Sequence, residues 1–172
     1  LMAYTKGGDS YCYIFPFFDE MSQRLTMRLH HEGKYPLYDV KLQIEDSTER
    51  ARLPLNELYV EILESWKKDD KVGRTRQRDL YGESMKLLSQ SRKVINVGTF
   101  LPNTDLELLR IPWPSGDIQY YMIQIFRRNA QITQIIKAKK IRGSWIYSFR
   151  VSDRWRGKLK EFLNPEVDLP KN

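Results

Sequence analysis

The chain has one cysteine, Cys12, and two histidines, the adjacent His30 and His31, in 172 residues. A single thiol cannot close an internal disulfide, so packing alone must hold the fold. Neighbouring histidines on a strand point to opposite faces, so they cannot jointly grip a metal ion, and the four-ligand set of a structural zinc site is missing. No apolar run reaches the ~20 residues that span a bilayer as a helix, and no signal peptide is visible. The phosphate-binding, dinucleotide-binding and zinc-protease patterns are absent, as is the Gly-x-Ser-x-Gly elbow. Leu1 is not a natural start residue, so the ends read as processing sites or cut points. A membrane tether in a region upstream stays open as an expectation, and the compartment stays unknown.

What chemistry remains is thin. Cys12 with His30 or His31, oriented by Asp9, would make a nucleophile and base, but no helix N-terminus or glycine elbow activates the thiol. The position of Cys12 between Tyr11 and Tyr13 predicts a buried, inert thiol. Asp9-Ser10 after two glycines predicts a turn cap. His30-His31 reads as solvated strand-end residues, and the carboxylate pairs Glu45-Asp46 and Asp69-Asp70 as solvated. The sequence points to no enzyme, no cofactor, no metal and no small-molecule substrate.

Alternation of period two is plentiful. Tyr38, Val40, Leu42 and Ile44 are apolar between Asp39, Lys41, Gln43 and Glu45, and Trp145, Tyr147, Phe149 and Val151 repeat the pattern. Such alternation predicts half-buried strands. Strands are expected over 11–18, with Pro16 marking an edge or a bulge, and over 24–30, 37–46, 94–100, 106–111, 118–127, 131–141 and 144–152. Asn129-Ala130 and Arg142-Gly143 predict tight hairpins. About eight strands with turns every ~8–12 residues give the spacing of a β-sandwich. An immunoglobulin-like Greek key is the first expectation and a small closed barrel the second.

The pattern changes over 47–93. Leu55, Leu58, Tyr59, Ile62, Leu63 and Trp66 mark one face of an amphipathic helix of about three turns, opened by Pro54. Residues 67–82, charged and holding Gly73 and Gly82, predict a mobile loop. The whole of 47–93 reads as a helical, charged insertion into one domain spanning 1–172. The tail, 153–172, predicts a short basic helix or a frayed end.

The net charge of +7 is uneven: residues 1–66 carry −4, 67–93 carry +5, 94–126 carry −2 and 127–172 carry +8. Two basic features result. One is the segment with Lys67, Lys68, Lys71, Arg74, Arg76 and Arg78. The other is a stripe of Lys137, Lys139 and Arg150, with Arg127 near it, on one sheet face. Either would allow salt-sensitive contact with nucleic acid or an anionic membrane surface. The aromatics alternate into the core, and no RNA-reading motif accompanies the charge. Trp113, between Pro112 and Pro114, is a core lid or an exposed interface anchor.

Three segments resemble a domain of uncharacterised bacterial proteins that follows an N-terminal, often membrane-spanning or coiled, region. They are Gly7-Gly8-Asp9-Ser10-Tyr11-Cys12-Tyr13, Glu32-Gly33-Lys34-Tyr35-Pro36-Leu37-Tyr38-Asp39-Val40, and Val97-Gly98-Thr99 through Arg128-Asn129 to 141–145. The resemblance skips 47–93 and implies a β-sandwich accessory domain without an active site. The expected function is a non-enzymatic interaction or sensor module that binds a protein partner through end loops or a sheet face. Its expected contacts are the Lys67–Arg78 segment, Trp113 and the Lys137/Lys139/Arg150 face. The alternative is a basic nucleic-acid or anionic-membrane-surface binder.

Overall fold

The computed structural model describes residues 10–66, 71–128, 130–154 and 156–170, apart from the side chains of residues 66, 71 and 72. Three strands come first: β1 (Tyr11–Asp19), β2 (Arg24–Glu32) and β3 (Leu37–Asp46). Three helices follow: α1 (Ser47–Arg52), α2 (Leu55–Trp66) and α3 (Lys71–Ser91). Six strands complete the chain: β4 (Arg92–Phe100), β5 (Asp105–Pro112), β6 (Ile118–Arg127), β7 (Ala130–Ile141), β8 (Ser144–Asp153) and β9 (Gly157–Phe162). They form two antiparallel sheets, one in the order β1-β2-β5 and one in the order β4-β3-β6-β7-β8-β9.

The alternating residues build one shared core. Leu25, Met27 and Leu29 of the small sheet cluster with Leu42, Ile44, Ile123, Ile125, Ile132, Ile136, Phe149 and Val151 of the large one. Burying each such side chain contributes about 1.5–3 kcal/mol. Pro16 sits in β1, an edge strand, where a missing N–H costs least. The β7–β8 hairpin turns through Arg142 and Gly143, both at positive φ (52° and 89°), a twist that matches the flanking strands.

Two segments differ from the expectation. Residues 71–82 belong to helix α3 instead of a mobile loop. Gly73, Leu80, Ser84 and Leu88 are buried along one side of it, and α3 packs against α2. The serine hydroxyls of this bundle return their protons to carbonyls three residues back, Ser65 to Ile62, Ser84 to Tyr81 and Ser91 to Leu88. This local bonding lets polar residues sit in a helix interface. The tail is neither helical nor frayed. Gly157, at φ 73°, turns the chain into β9, a ninth strand against β8. The tail then crosses the outer face of β8, where Ser148 accepts from the Asn164 amide and donates to the Val167 carbonyl. Val167 is buried there.

Helix α1 begins where β3 ends, because the Asp46 carboxylate accepts from the Thr48 and Glu49 amides and satisfies the free N–H groups of the first turn. The helices therefore leave β3 and return at β4, its sheet neighbour.

Candidate functional site

Cys12 lies directly across from His31 in the β1–β2 ladder, yet the pair is not a nucleophile and base. Cys12 is fully buried, and burial pushes its thiol up to about 12, far above the range of a reactive thiolate. His31 is also buried, which corrects the solvated reading. Its Nε2 donates to the Tyr35 carbonyl at 2.9 Å, and its ring meets the Phe100 ring edge-on. Desolvation lowers its pKa. His30, half-buried, holds Asp105 of β5 through Nδ1 at 2.6 Å. Ser10 serves as a turn partner, accepting from the Tyr35 amide at 2.9 Å, while Asp9 lies outside the described residues.

Glu45-Asp46 is not solvated either. Glu45 is 3% exposed and is gripped by Arg50 at 2.7 Å and Arg92 at 2.8 Å. Burial alone would raise its pKa, but the hydrogen bonds from Arg92 and Arg50 outweigh this and hold it below the ordinary glutamate value. Asp46 is raised by burial while it caps α1 and accepts from Gln119. Asp69 and Asp70 lie outside the described residues. Among the described residues no three metal-ligating side chains converge, and no helix is long and apolar enough to cross a membrane.

The basic residues separate into different environments. Lys137 and Lys139 alternate outward on β7, with Lys137 over the Tyr120 ring at 5.4 Å. Arg150 shares that sheet face but donates to Glu161 at 2.7 Å and to the Pro170 carbonyl. Its charge is thus already met within the fold. Arg127 is buried, with its pKa lowered by desolvation. Trp113 is half-buried at the sandwich end: its amide donates to the Gln23 carbonyl at 2.9 Å, and Lys140 stands over its ring at 5.4 Å.

Lys67 and Lys68 lie outside the described residues, as does the side chain of Lys71. Arg74, Arg76 and Arg78 project from α3 as exposed side chains. Arg76 pairs with Glu61 of α2 at 2.8 Å and so marks one flank of the α2–α3 hairpin. By helical rotation the opposite flank receives Tyr59 and Leu63 from α2, and Tyr81 and Met85 from α3. Each pair is spaced i, i+4, as are Arg74 and Arg78, which fall on that same flank. All four apolar residues are exposed, as is Val60, with Leu63 at 56% and Met85 at 59%. Part of the apolar face of the amphipathic helix expected from sequence is therefore left open. Leu55 and Ile62 are buried, whereas Tyr59 and Leu63 are not. The α3 half of this flank escaped the sequence reading, although Tyr81 and Met85 at helical spacing were its signal.

Two hollows lie near the helices. One, of about 110 Å³, is lined by Met27, Ile44, Leu109, Ile111 and Tyr121, with Asp46 and Lys93 at its rim. It falls well short of the ~300 Å³ at which sites for drug-sized ligands begin. The other is an open groove of about 260 Å³ between α1 and the start of α2, lined by Arg50, Leu53, Leu55, Asn56 and Tyr59. Tyr59 belongs both to this groove and to the apolar flank, which joins the two into one surface. No family model, curated protein or solved structure matches the chain.

Proposed function

We propose that the chain is a non-enzymatic interaction module that binds a protein partner along the apolar, arginine-bearing flank of its α2–α3 hairpin. The observation that carries this reading is the exposure of Tyr59, Val60, Leu63, Tyr81 and Met85 on one hairpin. Grouped exposed hydrophobic side chains mark contact sites, whereas scattered ones do not. Arg78 adds positive charge at the same flank, so an acidic partner segment with its own apolar residues fits best. The adjoining groove offers a seat for one inserted side chain.

The test compares the double variant Leu63→Glu with Met85→Glu and the single variant Arg78→Glu for capture of the natural partner at unchanged thermal stability. Both should lose capture, the first more completely. Retained capture in both would move the binding surface off the hairpin.

A nucleic-acid or anionic-lipid surface is the second reading, supported by Lys137 and Lys139, half-buried on the outer face of β7. It predicts anisotropy changes with oligonucleotides, or sedimentation with anionic vesicles, that survive physiological salt. The engagement of Arg76 by Glu61 and of Arg150 by Glu161 weighs against it.

For the fold, we propose an immunoglobulin-like Greek key. This reading is supported by strand β6, which returns to lie beside β3 after β4 and β5, with β5 placed in the other sheet. The resemblance of the turn segments supports a place as an accessory module in a larger bacterial protein.

A further inference from the structure

Among the described residues the two sheets end in four edge strands, β1, β5, β4 and β9. An open edge is a template for pairing with another chain, and proteins blunt such edges with proline, charge or shortness. Three of the four are blunted here. β1 carries Pro16, and its Ile14 backbone is taken by the Gln134 side chain. β5 carries Asp105, Glu107, Arg110 and Pro112 in eight residues. β9 is six residues long and carries Lys158, Lys160 and Glu161.

β4 is different. It has nine residues, and from Val94 to Phe100 it carries neither charge nor proline. Its β-branched residues Val94, Ile95, Val97 and Thr99 favour strand pairing. Val94 is 54% exposed, while Ile95 and Val97 pack against the core. The ladder to β3 is regular from Arg92 to Asn96, and its irregularity is confined to the Gly98 end.

We propose that β4 pairs antiparallel with β4 of a second copy of this chain, joining the two large sheets across a two-fold axis at Ile95. An antiparallel edge is self-complementary, so one strand can supply both sides of a closed C2 contact. In this register Val94 faces Asn96, Lys93 faces Val97 and Arg92 faces Gly98, and no like charges meet. The two Ile95 side chains would continue the inner row of the core. This surface lies on the sheet, apart from the hairpin flank, so it stands whether or not a partner binds there.

The experiment is sedimentation equilibrium of the chain over a wide concentration range, with two charge-reversed double variants. Val94 and Asn96 are both exposed, so changing them removes no core contact. The parent should sediment as a monomer–dimer equilibrium. V94K/N96K and V94E/N96E should each be monomeric, because like charges then face each other across the axis. Their mixture should restore the dimer. A parent that stays monomeric at every concentration would overturn the proposal, as would variants that dimerise as well as the parent. A third variant, Leu106→Lys on β5, should leave the dimer intact.

Discussion

The amide of Gln134 closes the core against Ile14. Its side-chain oxygen accepts from the Ile14 amide at 2.6 Å, and its nitrogen donates to the Ile14 carbonyl at 2.7 Å. Gln134 belongs to β7 and Ile14 to β1, so one buried side chain ties the edge of the small sheet to the middle of the large one. It supplies the donor and acceptor that a neighbouring strand would otherwise give.

Gln134→Leu leaves both Ile14 backbone groups unpaired in a dry interior. Each orphaned group costs about 1–3 kcal/mol, so the variant should lose about 2–6 kcal/mol in urea unfolding. A loss below about 0.5 kcal/mol would mean that the edge finds other partners.

Gly33 sits at φ 121°, and a Cβ there would come within 2.3–2.7 Å of Ser10, including its Cα. Gly33→Ala must therefore shift the turn that Ser10 and Tyr35 share, besides straining its own backbone. The expected loss is about 1–3 kcal/mol. Thermal unfolding indistinguishable from the parent would show that the turn yields freely.

Glu45 makes stability depend on acid. Its folded pKa lies below the ordinary value, so the folded state takes up its proton later than the unfolded chain does. That contribution is complete above the unfolded glutamate value and is lost as pH falls toward the folded one. Glu45→Gln should cost about 1–3 kcal/mol at neutral pH, discounted because Arg50 and Arg92 are part-exposed. It should also flatten the acid limb of the stability profile. An acid limb as steep as the parent's would assign that dependence to other carboxylates.

Cys12 should resist a thiol reagent in the folded chain and react fully after denaturation, since burial both hides it and raises its pKa to about 12. Fast modification of the folded chain at neutral pH would contradict the burial described here.

The strands were legible because alternation forces one face inward. Leu42 and Ile44, or Phe149 and Val151, can satisfy that in only one way. The first half of helix α3, over 71–82, was not legible, because Gly73 and Leu80 form a packed side with little hydropathy and the arginines around them look like a loop. β9 was hidden by Lys158, Lys160 and Glu161: Lys160 is met by Glu32 and Glu161 by Arg150 across strands, and Lys158 by Glu161 within β9. The bond from Gln134 to Ile14 spans 120 positions, and no local pattern encodes it. Of the candidate surfaces, Arg74, Arg76 and Arg78 stand out in the sequence as a basic run, expected on a loop and found on helix α3. The exposure of the hairpin's apolar half is not legible, because a helical stripe alone does not reveal how much of it a neighbour covers.

The most direct measurement places a photo-cross-linking residue at Met85 and, separately, at Lys139, and compares the adducts formed in cells that make the chain. The hairpin account predicts a protein adduct at Met85 that Leu63→Glu abolishes, with none at Lys139. An adduct at Lys139 alone would contradict it and return the binding surface to the sheet face.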